Sequence, residues 1–266
     1  MSSALMQNCG TRELNFERGE GSYLFTKDGE RYLDFGMGIA VNSLGHCNPK
    51  LIDVLTGQAN RLWHTSNLYN TEPSEQLANK LVASTFADRV FFCNSGTEAI
   101  ECGFKAIRRY FHSKDLGHKN RIVSMSGAFH GRSLAAIASA ANPVHCKGFL
   151  VGDPGFDQAE FGNFESLLCV VNENTAGIII EPIQGEGGIS VAGIEYLKAI
   201  RELCDSHNIL LMFDEVQCGI ARTGSLYAYQ QLGVNPDILA TAKGLGGGFP
   251  IGACLATEEV ACSLVA

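Results

Sequence analysis

The chain has 266 residues, 45% of them hydrophobic and 18% charged, with a formal net charge of −8. This is ordinary globular composition, long enough for one large domain or for a domain plus a smaller piece. The acidic balance argues against the basic footprint of a nucleic-acid binder or of a protein held on an anionic membrane, and is silent on a small basic pocket for an anionic cofactor.

The ten cysteines, at 9, 47, 93, 102, 146, 169, 204, 218, 254 and 262, form no C-x-x-C pair and no zinc spacing. The chain is too large for a disulfide-stapled scaffold. Thiols in apolar runs such as Phe91-Phe92-Cys93 read as buried and reduced, which points to the cytoplasm. Residues 1–10 lack the charged-then-apolar order of a signal peptide, and no apolar run is long enough to span a bilayer.

Residues 21–35 read as a hairpin, with Tyr23-Leu24-Phe25 and Tyr32-Leu33-Asp34-Phe35 flanking an Asp28-Gly29 turn. A glycine-spaced loop over 36–49 leads to a predicted helix over 49–62, and a second helix starts at Glu72-Pro73. From there strands and helices alternate. Arg89–Cys93 is a short apolar strand, followed by Ile100, Gly103, Phe104, Ile107 and Phe111 at the spacing of one helix face. Further strands are predicted at 121–125, 176–181, 209–213 and 236–241, with a helix over 194–207. Apolar strands alternating with amphipathic helices predict an α/β fold with a mostly parallel central sheet. In such sheets ligands gather at the carboxyl ends of the strands.

Three strands end in polar clusters. Asn94-Ser95-Gly96-Thr97-Glu98 lies between a strand and a helix, where unpaired N–H groups and the helix dipole suit a phosphate. Taken alone it reads better as a helix cap. Asp214-Glu215-Val216-Gln217 follows the most apolar strand, and alone it too reads as a cap or turn. In Thr241-Ala242-Lys243-Gly244-Leu245-Gly246-Gly247-Gly248 a lysine stands among four glycines, without the order of a Walker loop or the spacing of a dinucleotide fingerprint. Alone it reads as a flexible loop with a solvated lysine. Together the three match the needs of pyridoxal 5′-phosphate (PLP): a lysine for the imine, an acid for the pyridine nitrogen and a phosphate cradle.

The set Asn94-Ser95-Gly96-Thr97-Glu98-Ala99, Phe129-His130-Gly131-Arg132-Ser133, Glu181-Pro182-Ile183-Gln184-Gly185-Glu186-Gly187-Gly188, Asp214-Glu215-Val216-Gln217 and Ala242–Gly248 resembles the class III aminotransferases, most closely their acetylornithine subgroup. The resemblance begins near residue 12 and runs to the end of the chain. It implies the type I fold of PLP-dependent transferases, with residues 1–50 a small N-terminal segment and 51–266 the large PLP-binding domain. It assigns the cofactor phosphate to Ser95, Gly96 and Thr97, the ring face to Phe129 and Val216, and the ring nitrogen to Asp214. Gln217 contacts the phenolic oxygen, and Glu215 joins the cofactor contacts. Lys243 forms the imine and serves as general base and acid. Arg132 binds a substrate carboxylate, Glu181 lies near the substrate, and His130 reads as structural. The implied reaction is ping-pong transfer of an amino group between N-acetylornithine, or a similar terminal amine, and 2-oxoglutarate, in arginine biosynthesis. Ornithine, 4-aminobutyrate and succinyl-diaminopimelate are alternative donors. No metal, nucleic acid or membrane is expected, and the family implies a cytoplasmic homodimer.

The chain stops at Ala266, where the resemblance implies a further C-terminal small domain carrying a Gly-Thr-His-Gly-like phosphate contact and another substrate arginine. The expectation is that this domain is absent. The 266 residues alone are then inactive or nearly so, a fragment that keeps the fold. Cys47-Asn48-Pro49 is a smaller departure, since the family often has His before this proline.

Overall fold

The computed structural model describes residues 4–6, 8, 10, 13–150 and 152–264, so Cys9 and Ala266 lie outside the described residues. The chain divides into two compact units, Met1–Ser66 and Asn67–Ala266. The nine described cysteines are free thiols. Among the described residues no helix is long and apolar enough to cross a membrane.

The first unit holds an antiparallel sheet of β1 (Phe16–Glu20), β2 (Tyr23–Thr26) and β3 (Arg31–Leu33). The expected hairpin is β2–β3, with Gly29 at φ 85° in its turn. β1 has no alternating apolar signal; pairing with β2 makes it a strand. After β3, Asp34 accepts from the N–H groups of Gly36 and Met37 at 3.0 and 2.9 Å, and its other oxygen lies 2.7 Å from His46 Nε2. His46 first, then the backbone donors, hold this carboxyl below the usual range. Next comes a left-handed turn at Met37–Ala40, where φ stays between 50° and 63°. Asn48 accepts from Lys50 N at 3.1 Å and caps the helix Pro49–Ala59, a sufficient reason for an asparagine before this proline.

The second unit is built on a seven-stranded sheet. Its strands are β4 (Arg89–Cys93), β5 (Arg121–Met125), β6 (Phe156–Ala159), β7 (Thr175–Ile180), β10 (Leu210–Asp214), β11 (Ile238–Thr241) and β12 (Gly252–Ala256). The short ribbon β8 (Ile183–Gln184) and β9 (Ser190–Val191) stands apart. The order is β4-β12-β11-β10-β7-β5-β6, and β12 alone runs against its neighbours.

Both faces of the sheet are covered. The helix Gly96–Ser113 lays Ile100, Phe104, Ile107 and Phe111 over Ile122, Ile179, Met212 and Ile238. On the opposite face the helix Ile194–His207 packs Leu197, Ile200 and Leu203 with Val123, Ile178, Ile180, Leu211 and Phe213. Alternate residues of β7 and β10 therefore serve opposite cores, which is why these strands read as unbroken apolar runs. Each such side chain contributes roughly 1.5–3 kcal/mol on burial. The carboxyl ends of β7 and β10, the start of the Gly96 helix and the loop after β11 carry the polar clusters.

Candidate active site

The helix Gly96–Ser113 begins as its sequence predicts. Ser95 is the N-cap: its hydroxyl accepts from Glu98 N at 3.3 Å and donates to the Glu98 carboxylate at 3.1 Å, while Asn94 N donates to the same carboxylate at 2.8 Å. The capping reading is thus met at Ser95 and Glu98. It leaves the N–H groups of Gly96 and Thr97 without a hydrogen bond among the described residues. These donors sit at the positive end of a helix of 18 residues.

Close backbone approaches bring the other clusters here. A Cβ at Gly96 would stand 2.7 Å from Val216 Cγ1 and 3.4 Å from the Ala242 Cβ, so only glycine lets the helix start fit between the segments after β10 and β11. Gly131, at φ 122°, lies against the Thr97 side chain, and a Cβ there would overlap its hydroxyl. The cradle is open because these two positions lack side chains.

Asp214 ends β10 and is buried. One of its oxygens accepts from Val216 N at 3.0 Å, and the other lies 2.8 Å from His130 Nδ1. His130 is also buried, and its Nε2 has no hydrogen-bond partner among the described residues. A carboxylate tied on two sides is held at one angle, with lone-pair capacity left for a further cationic N–H. His130 is therefore more than filler, since it orients the acid.

Lys243 follows β11 in a left-handed conformation, φ 44°, and opens a single 3₁₀ turn. It is half-buried. Desolvation lowers its pKa, opposed by the negative charges of Asp214, Glu186 and Glu181. Its ammonium makes no hydrogen bond or ion pair among the described residues, which leaves it free to react. Glu186 is thus a neighbour of Lys243 that motif reading did not single out. Its signal is the acid in an otherwise glycine-rich Gly185–Gly188 stretch.

Phe129 is half-buried. The Arg132 guanidinium stands 5.4 Å from its ring centroid, and His145 meets it edge-on at 6.2 Å. Arg132 itself is exposed. Gln217 lies against Gly185, with its amide where a Cβ would go.

Two acids of these motifs accept from backbone donors. Both oxygens of Glu215 are taken by the first turn of the helix Ala228–Leu232, accepting from Ala228 N at 2.6 Å and Tyr229 N at 2.8 Å. Glu215 is a buried helix anchor. Glu181 is 5% exposed, and its Oε2 accepts from Phe129 N at 3.1 Å.

Burial pushes the Glu215 carboxyl up to about 7, although its two backbone donors pull the other way. The folded value exceeds the unfolded one, so its share of stability is fully present below pH ~4.5 and is lost as pH rises through ~7. Unfolding free energies in denaturant at pH 5 and pH 8 check this. The fall between them should be smaller in Glu215→Gln than in the wild type by up to about 3 kcal/mol. Equal falls in the two proteins would refute it.

The comparisons with known proteins agree with this geometry. The family model described as "Aminotransferase class-III" matches residues 6–265. The chain is 54% identical over 253 residues to an acetylornithine aminotransferase of Agrobacterium fabrum, covering 95% of the chain and 63% of that protein. It is 50% identical to a succinylornithine transaminase of Salmonella heidelberg, covering 92% of the chain and 60% of that protein. Among solved structures, the ornithine aminotransferase of Toxoplasma gondii superposes with TM-score 0.93 at 32% identity, over 98% of the chain and 63% of its own length. The N-acetylornithine aminotransferase of Stenotrophomonas maltophilia gives TM-score 0.84 at 40% identity, over 97% of the chain and 65% of its own length. The chain thus spans less than two thirds of the length of these relatives. With five motifs gathered on one sheet edge and the family model covering nearly every residue, the chain belongs to the class III aminotransferases.

Proposed function

We propose that this chain is the cofactor-holding part of a PLP-dependent aminotransferase. In this reading it transfers an amino group between the terminal amine of N-acetylornithine, or a close analogue, and 2-oxoglutarate, in arginine biosynthesis. The observation that carries the reading is Lys243. It is partly desolvated, makes no hydrogen bond among the described residues, lies in the field of Asp214 and follows Ala242, which packs at Gly96 on the start of the helix. The residues present fit the cofactor: a cradle kept open by Gly96 and Gly131, and an oriented acid with spare acceptor capacity. All of them fall inside 51–266, assigned here to the large domain, with 1–50 assigned to the small one.

When bound, PLP supplies the electron sink that weakens a bond at the amine-bearing carbon. The N–H groups of Gly96 and Thr97 and the Thr97 hydroxyl hold its phosphate, with Ser95 shaping the cap. Asp214, steadied by His130, would face the pyridine nitrogen and favour its protonated form. Phe129 and Val216 would pack on the ring faces, and Gln217 would take the phenolic oxygen. Lys243 would supply the amine that attaches the cofactor and, when free, a group able to carry a proton to and from the substrate carbon. Arg132 takes a carboxylate of the substrate through its planar fork. We assign the intact protein to the cytoplasm as a homodimer, after its family.

Borohydride reduction of the intact protein with PLP should leave a pyridoxyl-phosphate adduct on Lys243, located by peptide mass spectrometry. An adduct elsewhere, or none, defeats the reading. Donor identity then follows from kcat/KM over N-acetylornithine, N-succinylornithine, ornithine, 4-aminobutyrate and succinyl-diaminopimelate. The 50% identity to a succinylornithine transaminase makes the succinyl donor the second reading.

A further inference from the structure

We propose that Glu181 is a positioning residue and not a substrate ligand: its buried carboxylate ties the Phe129 loop to the turn after β7, fixing the Phe129 ring against the segment that seats Gln217. The inference rests on the function proposed above.

Glu181 follows β7 directly, one strand from Asp214. Being 5% exposed, it offers substrate almost no surface. Its carboxylate accepts from Phe129 N at 3.1 Å, and Glu181 itself heads the turn that carries Gln184 and Gly185. On one side the tie reaches the aromatic ring beneath Arg132. On the other, the turn it heads runs on to Gly185, against which the Gln217 amide packs.

A second clamp runs in parallel. Gln184 Nε2 donates to Ser126 O at 3.0 Å, and its Oε1 fills the space where side chains at Gly127 and Gly187 would otherwise stand. Two side chains from one turn thus join the stretches 126–131 and 184–188. Each buried N–H so paired would be left unsatisfied without its partner. Burial first, then the Asp214 charge, pushes the Glu181 carboxyl up to about 7, with His130 opposing. Both its neutral and its ionised forms can still accept from Phe129 N. The tie therefore needs an acceptor at this reach, not a charge.

Three variants of the intact protein separate the two roles. Glu181→Gln keeps reach and acceptor, Glu181→Asp keeps charge but shortens the reach, and Glu181→Ala removes both. PLP affinity should fall about tenfold or more in Glu181→Ala and Glu181→Asp, and stay within about threefold of wild type in Glu181→Gln, the ratio set by one lost buried hydrogen bond. Amide hydrogen exchange without cofactor should quicken in 126–131 and 184–188 together in the alanine and aspartate variants only. The idea is overturned if Glu181→Gln and Glu181→Ala both raise the KM of one substrate about tenfold or more with unchanged PLP affinity and exchange. Exchange that quickens in one loop alone overturns it too. A wild type that binds no PLP would sink the proposed function instead, and the exchange data would still judge the tie.

Discussion

Lys243→Ala is expected to bind PLP without a covalent link and to lose turnover by at least about 10³-fold, because in the proposed function one side chain supplies both the attachment and the proton transfers. Lys243→Arg is the sharper variant. It keeps the positive charge facing Asp214, Glu186 and Glu181, but a guanidinium stays protonated and can neither attack a carbonyl nor accept a proton. If Lys243 served only as a counter-ion, arginine would restore much of the rate. It should instead match alanine, and a Lys243→Arg protein within about tenfold of wild type would refute the assignment. The backbone here adopts φ 44°, so stability should also be measured, to separate lost chemistry from a disturbed turn.

Asp214→Ala should fail in two ways at once. It removes the partner of a fully buried histidine at 2.8 Å, whose Nε2 has none among the described residues. Truncating one side of such a pair costs about 3–5 kcal/mol, a fall of roughly 10 °C in Tm for a chain of this size. It also removes the acid proposed to face the ring nitrogen, so turnover should drop by about 10²- to 10³-fold. Asp214→Asn divides the two effects. It retains an acceptor for Val216 N and a polar neighbour for His130, so most of the stability should return while turnover stays low. Thermal unfolding and steady-state rates on the two variants check this. An alanine variant with the wild-type Tm would show that the His130 contact carries no weight.

Much of this site is legible in the sequence because each motif ends an apolar strand, and parallel sheets gather strand ends on one edge. Gly96, Thr97, Asp214, Val216 and Lys243 lie together for that reason. The rest depended on which way a side chain turns. Asp214 and Glu215 are adjacent acids in one motif, yet successive residues leaving a strand face opposite ways. One reaches His130 and the other anchors the helix Ala228–Leu232. Glu181 reads as a site acid by position, and only the fold shows it behind Phe129. His130 gains its meaning from a partner 84 residues away, a distance no local pattern carries. β12 is invisible in its own residues, because Gly252-Ala253-Cys254-Leu255-Ala256 has weak strand propensity and is made a strand by pairing with β4 and β11.

The placement of β12 has a consequence for how the protein is made. β4, which leads into the cradle, has β12 as its only neighbour in the sheet among the described residues, with Cys93 opposite Gly252. That partner leaves the ribosome about 160 residues later, roughly ten seconds or more at ordinary rates of synthesis. Until then the strand bearing Phe91 and Phe92 has an open edge and no mate. The parallel core of β5, β7 and β10 can assemble first, while the cofactor cradle waits for β12, which follows them in the chain. Such long-range closure is slow. It makes the nascent chain a candidate for chaperone custody, with the stretch around β4 the segment most exposed to mispairing.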